Sequence, residues 1–189
     1  CVQVDTVIPI ETLFKNYFYF SSAIQTLKDH FGMLADELEK KYLRSDSLVV
    51  EIGCNDGVFL RHLARKNIRN VGVDPATNVT KSVKEKGVNI INAPFGYQVT
   101  KEIEDQYGKS DAVVSSFSFA HIDDMHDVMA GVKNILNDDG IFVFEIYYLG
   151  VVIEEKQYDM MYHEHMSYYT IKCLDMFLDQ YGFEIFDIE

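Results

Sequence analysis

VVEIGCNDGVFLRHL, residues 49–63, changes period at its centre. Leu48–Ile52 is a short β-rich run with the apolar, branched character of a buried strand. Val58–Lys66 repeats its apolar residues at helical spacing. Between them, Gly53 lets the chain turn sharply and come close to a ligand. Gly57 opens the helix, whose first turn offers unpaired N–H groups and the positive end of the helix dipole. Asp74 closes "VGVD" twenty-one positions after Gly53, where an acid can accept hydrogen bonds from both hydroxyls of a bound ribose. The bland alternative is an ordinary tight strand-to-helix turn.

Working outward, strand and helix alternate. Asn70–Val73, Val88–Ile91, Ala112–Ser115, Ile141–Tyr147 and Phe183–Ile188 read as strands. Val79–Lys86, Gln98–Tyr107, Met125–Leu136 and Thr170–Tyr181 read as helices, the first stopped by Gly87 and the last by Gly182. The alternation predicts an α/β fold: a mostly parallel, Rossmann-like sheet with helices on both faces. Upstream, Cys1–Asn16 reads as an extended lead-in, Ser21-Ser22 as a helix cap, and Ala23–Tyr42 as an amphipathic helix. The expected division is residues 1–44, lead-in and helix, and 45–189, the ligand-binding domain. Leu149–Tyr169 carries neither period and is expected to be irregular and functional.

With 189 residues and a formal net charge of −13, the chain repels phosphate backbones, so duplex nucleic acid is excluded as a general partner. Small nucleotide ligands remain compatible, because local amides bind them despite the overall field. No apolar run reaches about 18 residues, so no membrane span is expected. Cys1, Cys54 and Cys173 make no disulfide framework, and a cytoplasmic setting is the default expectation. The chain opens on Cys1 rather than Met, as expected of a piece of a longer protein.

The loop is not G-x-G-x-x-G, because Asn55 stands where a second glycine would let a pyrophosphate approach. E-I-G-C-N-D-G instead resembles the S-adenosylmethionine (SAM) loop of class I methyltransferases. That resemblance implies SAM as cofactor and a site of Glu51, Gly53, Asn55, Gly57 and Asp74. Pro94 and Phe95 would border the adenine; Ser115 and Phe117 would cover the methionine part, although both phenylalanines equally suit the core.

"YDMMYHEHMSYY", residues 158–169, concentrates proton-handling side chains. A metal site lacks a third soft ligand nearby, and none is expected. Surface histidines hydrogen-bonded in a loop are the structural alternative. For proton transfer, an extended chain would set Tyr162 and Glu164 on one face and His163 and His165 on the other. The neighbouring carboxylate would raise a histidine's basicity and fix its tautomer.

Here the chain resembles the nucleotide-sugar C-methyltransferases along essentially its whole length. The matching features are Tyr17-x-Tyr19 with Ser21-Ser22, "EIGCNDG", "AHIDD" with His121, and "YHEHMSYY". The resemblance implies methylation of a carbon beside the keto group of a nucleotide-linked deoxysugar. It implies His165 as general base, with Glu164, Tyr162, His121 and Tyr17 in the catalytic group. It also implies a zinc domain upstream, a further α/β domain downstream, and a seventh strand missing from this chain. The sixth strand would then be an open edge suited to homodimer pairing. Other readings are an O- or N-methyltransferase of a small molecule, a non-catalytic SAM-binding module, and an NAD-dependent oxidoreductase.

Overall fold

Val50 sits at the centre of a parallel sheet, opposite Val71 on one side and Val113 on the other. The computed structural model describes residues 2–3, 9–14, 17–162 and 164–189. In chain order its elements are β1 (Val2–Gln3), α1 (Ile10–Leu13), α2 (Gln25–Lys41), β2 (Leu48–Ile52), α3 (Val58–Arg65), β3 (Arg69–Val73), α4 (Thr77–Thr80), β4 (Ile90–Ile91), α5 (Tyr97–Tyr107), β5 (Ser110–Ser116), α6 (Met125–Ile135), β6 (Leu136–Glu145), α7 (Leu149–Glu154), β7 (Ser167–Tyr168) and α8 (Ile171–Asp179). Five parallel strands form the sheet in the order β4-β3-β2-β5-β6. The chain leaves β2 first in one direction and later in the other. The crevice at the carboxyl ends of β2 and β5 is therefore the place where such sheets hold ligands.

The two-residue period of β2 sorts the core into two layers. Leu48, Val50 and Ile52 face a layer completed by Ile103 of α5, Val128, Met129, Val132 and Ile135 of α6, and Leu174 and Leu178 of α8. Val49 faces the other layer, with Phe31, Ala35 and Leu38 of α2 and Val58, Phe59, Leu60 and Leu63 of α3. Glu51 shares the parity of Val49, so a carboxylate is carried into a core position.

Gly72 of β3 faces α3 at very close range. A Cβ there would lie 2.5 Å from Cys54 Sγ and 2.6 Å from Leu60 Cδ1. Overpacking of this kind costs about 1–3 kcal/mol. Gly72→Ala is expected to lower the unfolding free energy by that amount, read as a lower denaturant midpoint with an unchanged slope in urea titration by circular dichroism.

Several expectations need correction. Phe183–Ile188 is not a strand. Its alternation does aim Phe183 and Ile185 at the core, while Phe186 and Ile188 stay exposed. A strand also needs a backbone partner, and none lies alongside among the described residues. The dimer edge expected from that strand is therefore absent; the sheet's edges are β4 and β6. The helix expected over Val79–Lys86 is only the one turn of α4. There Thr80 and Ser82 hydroxyls bond back to Ala76 and Val79 carbonyls, in competition with helix continuation.

Leu149–Tyr169 is more ordered than expected. It contains α7, a 3₁₀ turn at Tyr158–Met160, and β7, which pairs antiparallel with β1. The lead-in contains α1, while Cys1 lies outside the described residues. Ser21 and Ser22 do not cap α2, whose N-cap is Ile24. Their backbone amides bond Asn55 Oδ1 at 2.9 Å and Asp56 Oδ1 at 3.2 Å instead.

Candidate active site

The turn after β2 is wound in left-handed backbone: Gly53 (φ 71°), Asn55 (φ 49°) and Gly57 (φ 74°). Asparagine tolerates this region better than most side chains, and here it uses the conformation. Asn55 N–H donates to Asp74 Oδ2 at 2.9 Å, while Ala76 N–H donates to Asp74 Oδ1 at 2.8 Å. Both oxygens of Asp74 are thus oriented by backbone, at the carboxyl end of β3. Burial raises its pKa, opposed by those two bonds.

A strap, Tyr17–Ser22, crosses above the turn and is held by two reciprocal amide pairs. Asn55 accepts from Ser21 N–H and donates to the Tyr19 carbonyl at 3.0 Å. Asn78 accepts from Tyr17 N–H at 3.1 Å and donates to the Tyr17 carbonyl at 2.8 Å.

Strap, turn and sheet ends enclose a cavity of about 720 Å³, within the range usual for small-molecule sites. Glu51, Gly53, Asn55, Asp74, Pro94, Phe95 and Phe117 line it, with Tyr17 from the strap. Tyr162, Glu164, His165 and His121 line it as well. The expected cofactor residues and the expected proton-transfer residues therefore share one cavity. His163 lies outside the described residues.

Two expected cofactor residues do not line the cavity. Gly57 faces away, with Val88, Ile90 and Val83 where its Cβ would be. Its left-handed φ makes the bend into α3. Ser115 is fully buried, and its hydroxyl bonds Ser118 Oγ at 2.8 Å. Ser118 Oγ donates in turn to the Ile52 carbonyl at 2.8 Å and packs directly on Gly53. Ser116, the next residue of β5, faces the cavity in place of Ser115. Ser116, Ser118 and Tyr147 line the site without having been named individually from sequence, and Tyr19 of the Tyr17-x-Tyr19 pair lines it too. Tyr147 follows β6, so the rule that ligands bind beyond the carboxyl ends of strands was the signal that marked it. Glu145 does not line the cavity; its carboxylate takes a 2.6 Å bond with His30 Nε2.

The Tyr162–His165 segment departs from the extended chain expected. His165 N–H donates to the Tyr162 carbonyl at 2.9 Å, which folds the segment into a turn. Tyr162 and His165, expected on opposite faces, are thereby brought together. Tyr162 OH then reaches His165 Nε2 at 2.8 Å. His165 Nδ1 lies 2.9 Å from the Met160 carbonyl, which only accepts, so the proton sits on Nδ1 and the Nε2 lone pair faces Tyr162. The tautomer is fixed by that backbone carbonyl, not by the Glu164 carboxylate. His165 is 2% exposed.

His121 stands edge-on to His165 at 4.9 Å and donates from Nδ1 to the Glu164 carbonyl at 2.8 Å. Burial, chiefly, pushes its pKa down to about 4, and burial lowers His165 too. Burial and the Glu164 charge push Tyr162 up to about 12 and Tyr17 higher still. At neutral pH the site therefore holds neutral imidazoles and neutral phenols.

This has a pH consequence. A histidine whose pKa falls on folding binds its proton more readily in the unfolded chain. Its neutral form supports the fold above about pH 6.5, and that support is lost as pH falls toward about 4. His121→Asn is expected to reduce the acid-induced loss of stability by roughly 3 kcal/mol, measured as the melting shift between neutral and acid pH. An unchanged shift would count against a buried neutral His121.

The cavity fits SAM. Glu51 is 3% exposed, and its Oε2 has no hydrogen-bond partner, like Ser116 Oγ. Burial raises the Glu51 pKa, and so do the charges of Asp74, Asp56 and Glu145. A cationic ligand relieves such a carboxylate cluster, and SAM carries both a sulfonium and an ammonium. Asp74 presents its carboxylate to the cavity just beyond β3, and Pro94 and Phe95 add apolar lining.

A family model described as a methyltransferase domain matches residues 26–188. The C-methyltransferase NovU of Streptomyces niveus is 35% identical over 183 residues, covering 96% of this chain and 44% of that protein. The chain spans less than half the length of the curated relatives it matches. Among solved structures, a SAM-dependent methyltransferase from Archaeoglobus fulgidus superposes with a TM-score of 0.65 at 19% identity, over 82% of this chain and 69% of that one. The plantazolicin methyltransferase BpumL in complex with SAH gives 0.59 at 11% identity, over 80% and 62% of the two chains. With the match along residues 26–188 and this sheet order, the chain belongs to the methyltransferase domain family and has the class I, Rossmann-like fold of SAM-dependent methyltransferases.

Proposed function

We propose that this domain methylates a carbon beside the keto group of a nucleotide-linked deoxysugar. The observation that carries the reading is the placement of the Tyr162–His165 pair in the same cavity as Gly53 and Asp74. A methyl acceptor with its own lone pair, O or N, asks little more than alignment. A carbon acceptor first has to lose a weakly acidic proton, and that needs a neutral base with a fixed lone pair. His165 fits: Nδ1–H is tied to the Met160 carbonyl, leaving Nε2 to accept. The identity to a protein named a C-methyltransferase supports the carbon acceptor. The resemblance to nucleotide-sugar enzymes supports the substrate class.

In this mechanism the cavity aligns the sugar with its acidic carbon toward His165 Nε2. Tyr162 OH bonds the same lone pair in the free domain and gives it up when the substrate enters. Nε2 takes the proton, and the C–H electron pair becomes an enolate held by O–H donors of the site. Bound SAM supplies a methyl group on a sulfonium, which departs as a thioether when the carbon attacks. Glu164, one residue from the base, stabilises the imidazolium that forms.

The test is a panel of thymidine-diphosphate-linked 4-keto-deoxysugars incubated with SAM and the domain, analysed by mass spectrometry and NMR. A methyl on the carbon next to the carbonyl is the expected product. Methylation only at oxygen or nitrogen, or SAM binding with no turnover of any sugar, would overturn the proposal.

A further inference from the structure

An α-proton is removed easily only when the adjacent carbonyl oxygen receives a hydrogen bond as charge moves onto it. Base and donor must then flank the same few atoms of substrate, so the donor has to stand beside His165. Four rings among the described residues do so: Tyr162 at 4.1 Å, His121 at 4.9 Å, Tyr147 at 5.1 Å and Tyr168 at 6.4 Å.

Three of these have their polar hydrogens engaged. Tyr162 OH is spent on the lone pair of His165 Nε2 in the free domain and is released only as the base is uncovered, so it is not a donor already in place when the sugar arrives. His121 Nδ1–H goes to the Glu164 carbonyl, which leaves a neutral ring with no second N–H. Tyr168 is buried and donates to the Met160 carbonyl at 3.3 Å. Tyr147 lines the cavity, and its hydroxyl meets no hydrogen-bond partner among the described residues. Tyr17 and Tyr19 belong to the strap and lie outside this group of neighbours.

We infer that Tyr147 is the donor that binds the substrate's carbonyl oxygen and stabilises the enolate formed by His165. Its position suits the task. It stands two residues past the end of β6, with Phe117 N–H bonded to the Glu145 carbonyl and the Phe117 ring 5.9 Å away. The ring lies between Phe117 and His165, in the short stretch between the end of β6 and the Tyr148–Tyr169 bridge. Burial raises the phenol's pKa, so it remains a donor at neutral pH. The step balances: the proton passes from carbon to His165 Nε2, the C–H pair forms the C=C bond, and the carbonyl π pair moves to the oxygen that Tyr147 O–H holds.

The inference rests on the carbon-methylation reading, and the experiment separates the two. Tyr147→Phe keeps the ring and its packing. With the sugar the unsubstituted domain turns over fastest, kcat is expected to fall about 10²–10³-fold with KM changed less than about threefold. In D₂O with S-adenosylhomocysteine in place of SAM, exchange of the α-proton is expected to slow in parallel. Calorimetric binding of S-adenosylhomocysteine is expected to be unchanged. Fluorotyrosines at position 147 are expected to shift the exchange rate with phenol acidity, which ring packing alone does not do. Full exchange and turnover in Tyr147→Phe, while His165→Asn is inactive, would overturn the role of Tyr147 and leave the reaction class standing. Full turnover in His165→Asn would overturn both.

Discussion

Replacing His165 with Asn is expected to slow methyl transfer by about 10²–10⁴-fold, the usual contribution of a positioned base. The side chain is nearly isosteric over the atoms that matter for packing. Asn can still donate to the Met160 carbonyl, the bond that His165 Nδ1 makes at 2.9 Å. What is lost is the lone pair at Nε2. Binding of S-adenosylhomocysteine should therefore be close to unchanged by calorimetry, and the melting temperature only modestly lower. Proton exchange into D₂O beside the keto group should disappear together with turnover. Near-normal turnover in this variant would point to an oxygen or nitrogen acceptor, for which alignment suffices.

The second large effect is expected at Asp74. Replacement by Ala should weaken S-adenosylhomocysteine by roughly 10²-fold or more. Hydrogen bonds to a charged group are worth about 1.5–3 kcal/mol each, and two ribose hydroxyls are available. The same carboxylate receives Asn55 N–H and Ala76 N–H, so the free protein should melt lower as well. A comparison isolates the ribose contribution. The loss on Asp74→Ala should be large for adenosine and small for 2′,3′-dideoxyadenosine. Equal losses for both nucleosides would mean that Asp74 shapes the turn and does not touch the ribose.

What was legible in the sequence was local. Leu48–Ile52, Gly53, Gly57 and Asp74 read correctly as strand, turn and second strand end because period and backbone demand act within a few residues. The segment 162–165 was found by its composition, but its shape was misjudged. One bond from His165 N–H to the Tyr162 carbonyl overrides strand-like alternation. Ser115 was chosen over Ser116 because the strand's exact end sets which parity faces the crevice. The partnership of Ser118 with Gly53, the exposure of Tyr147 to the cavity and the bonds between Asn78 and Tyr17 depend on chain segments meeting in space. The last joins residues sixty-one apart, and no local period encodes it. The expected strand at Phe183–Ile188 fails for the opposite reason: its alternation is right, and its backbone lacks a neighbour.

The two asparagines that grip Tyr17–Ser22 also set how the domain can breathe. Asn55 stands in the glycine-rich turn, and through Ser21 and Tyr19 it also holds the strap over the cavity. Turn and strap are thereby joined through one side chain, so a displacement of either is expected to draw the other with it.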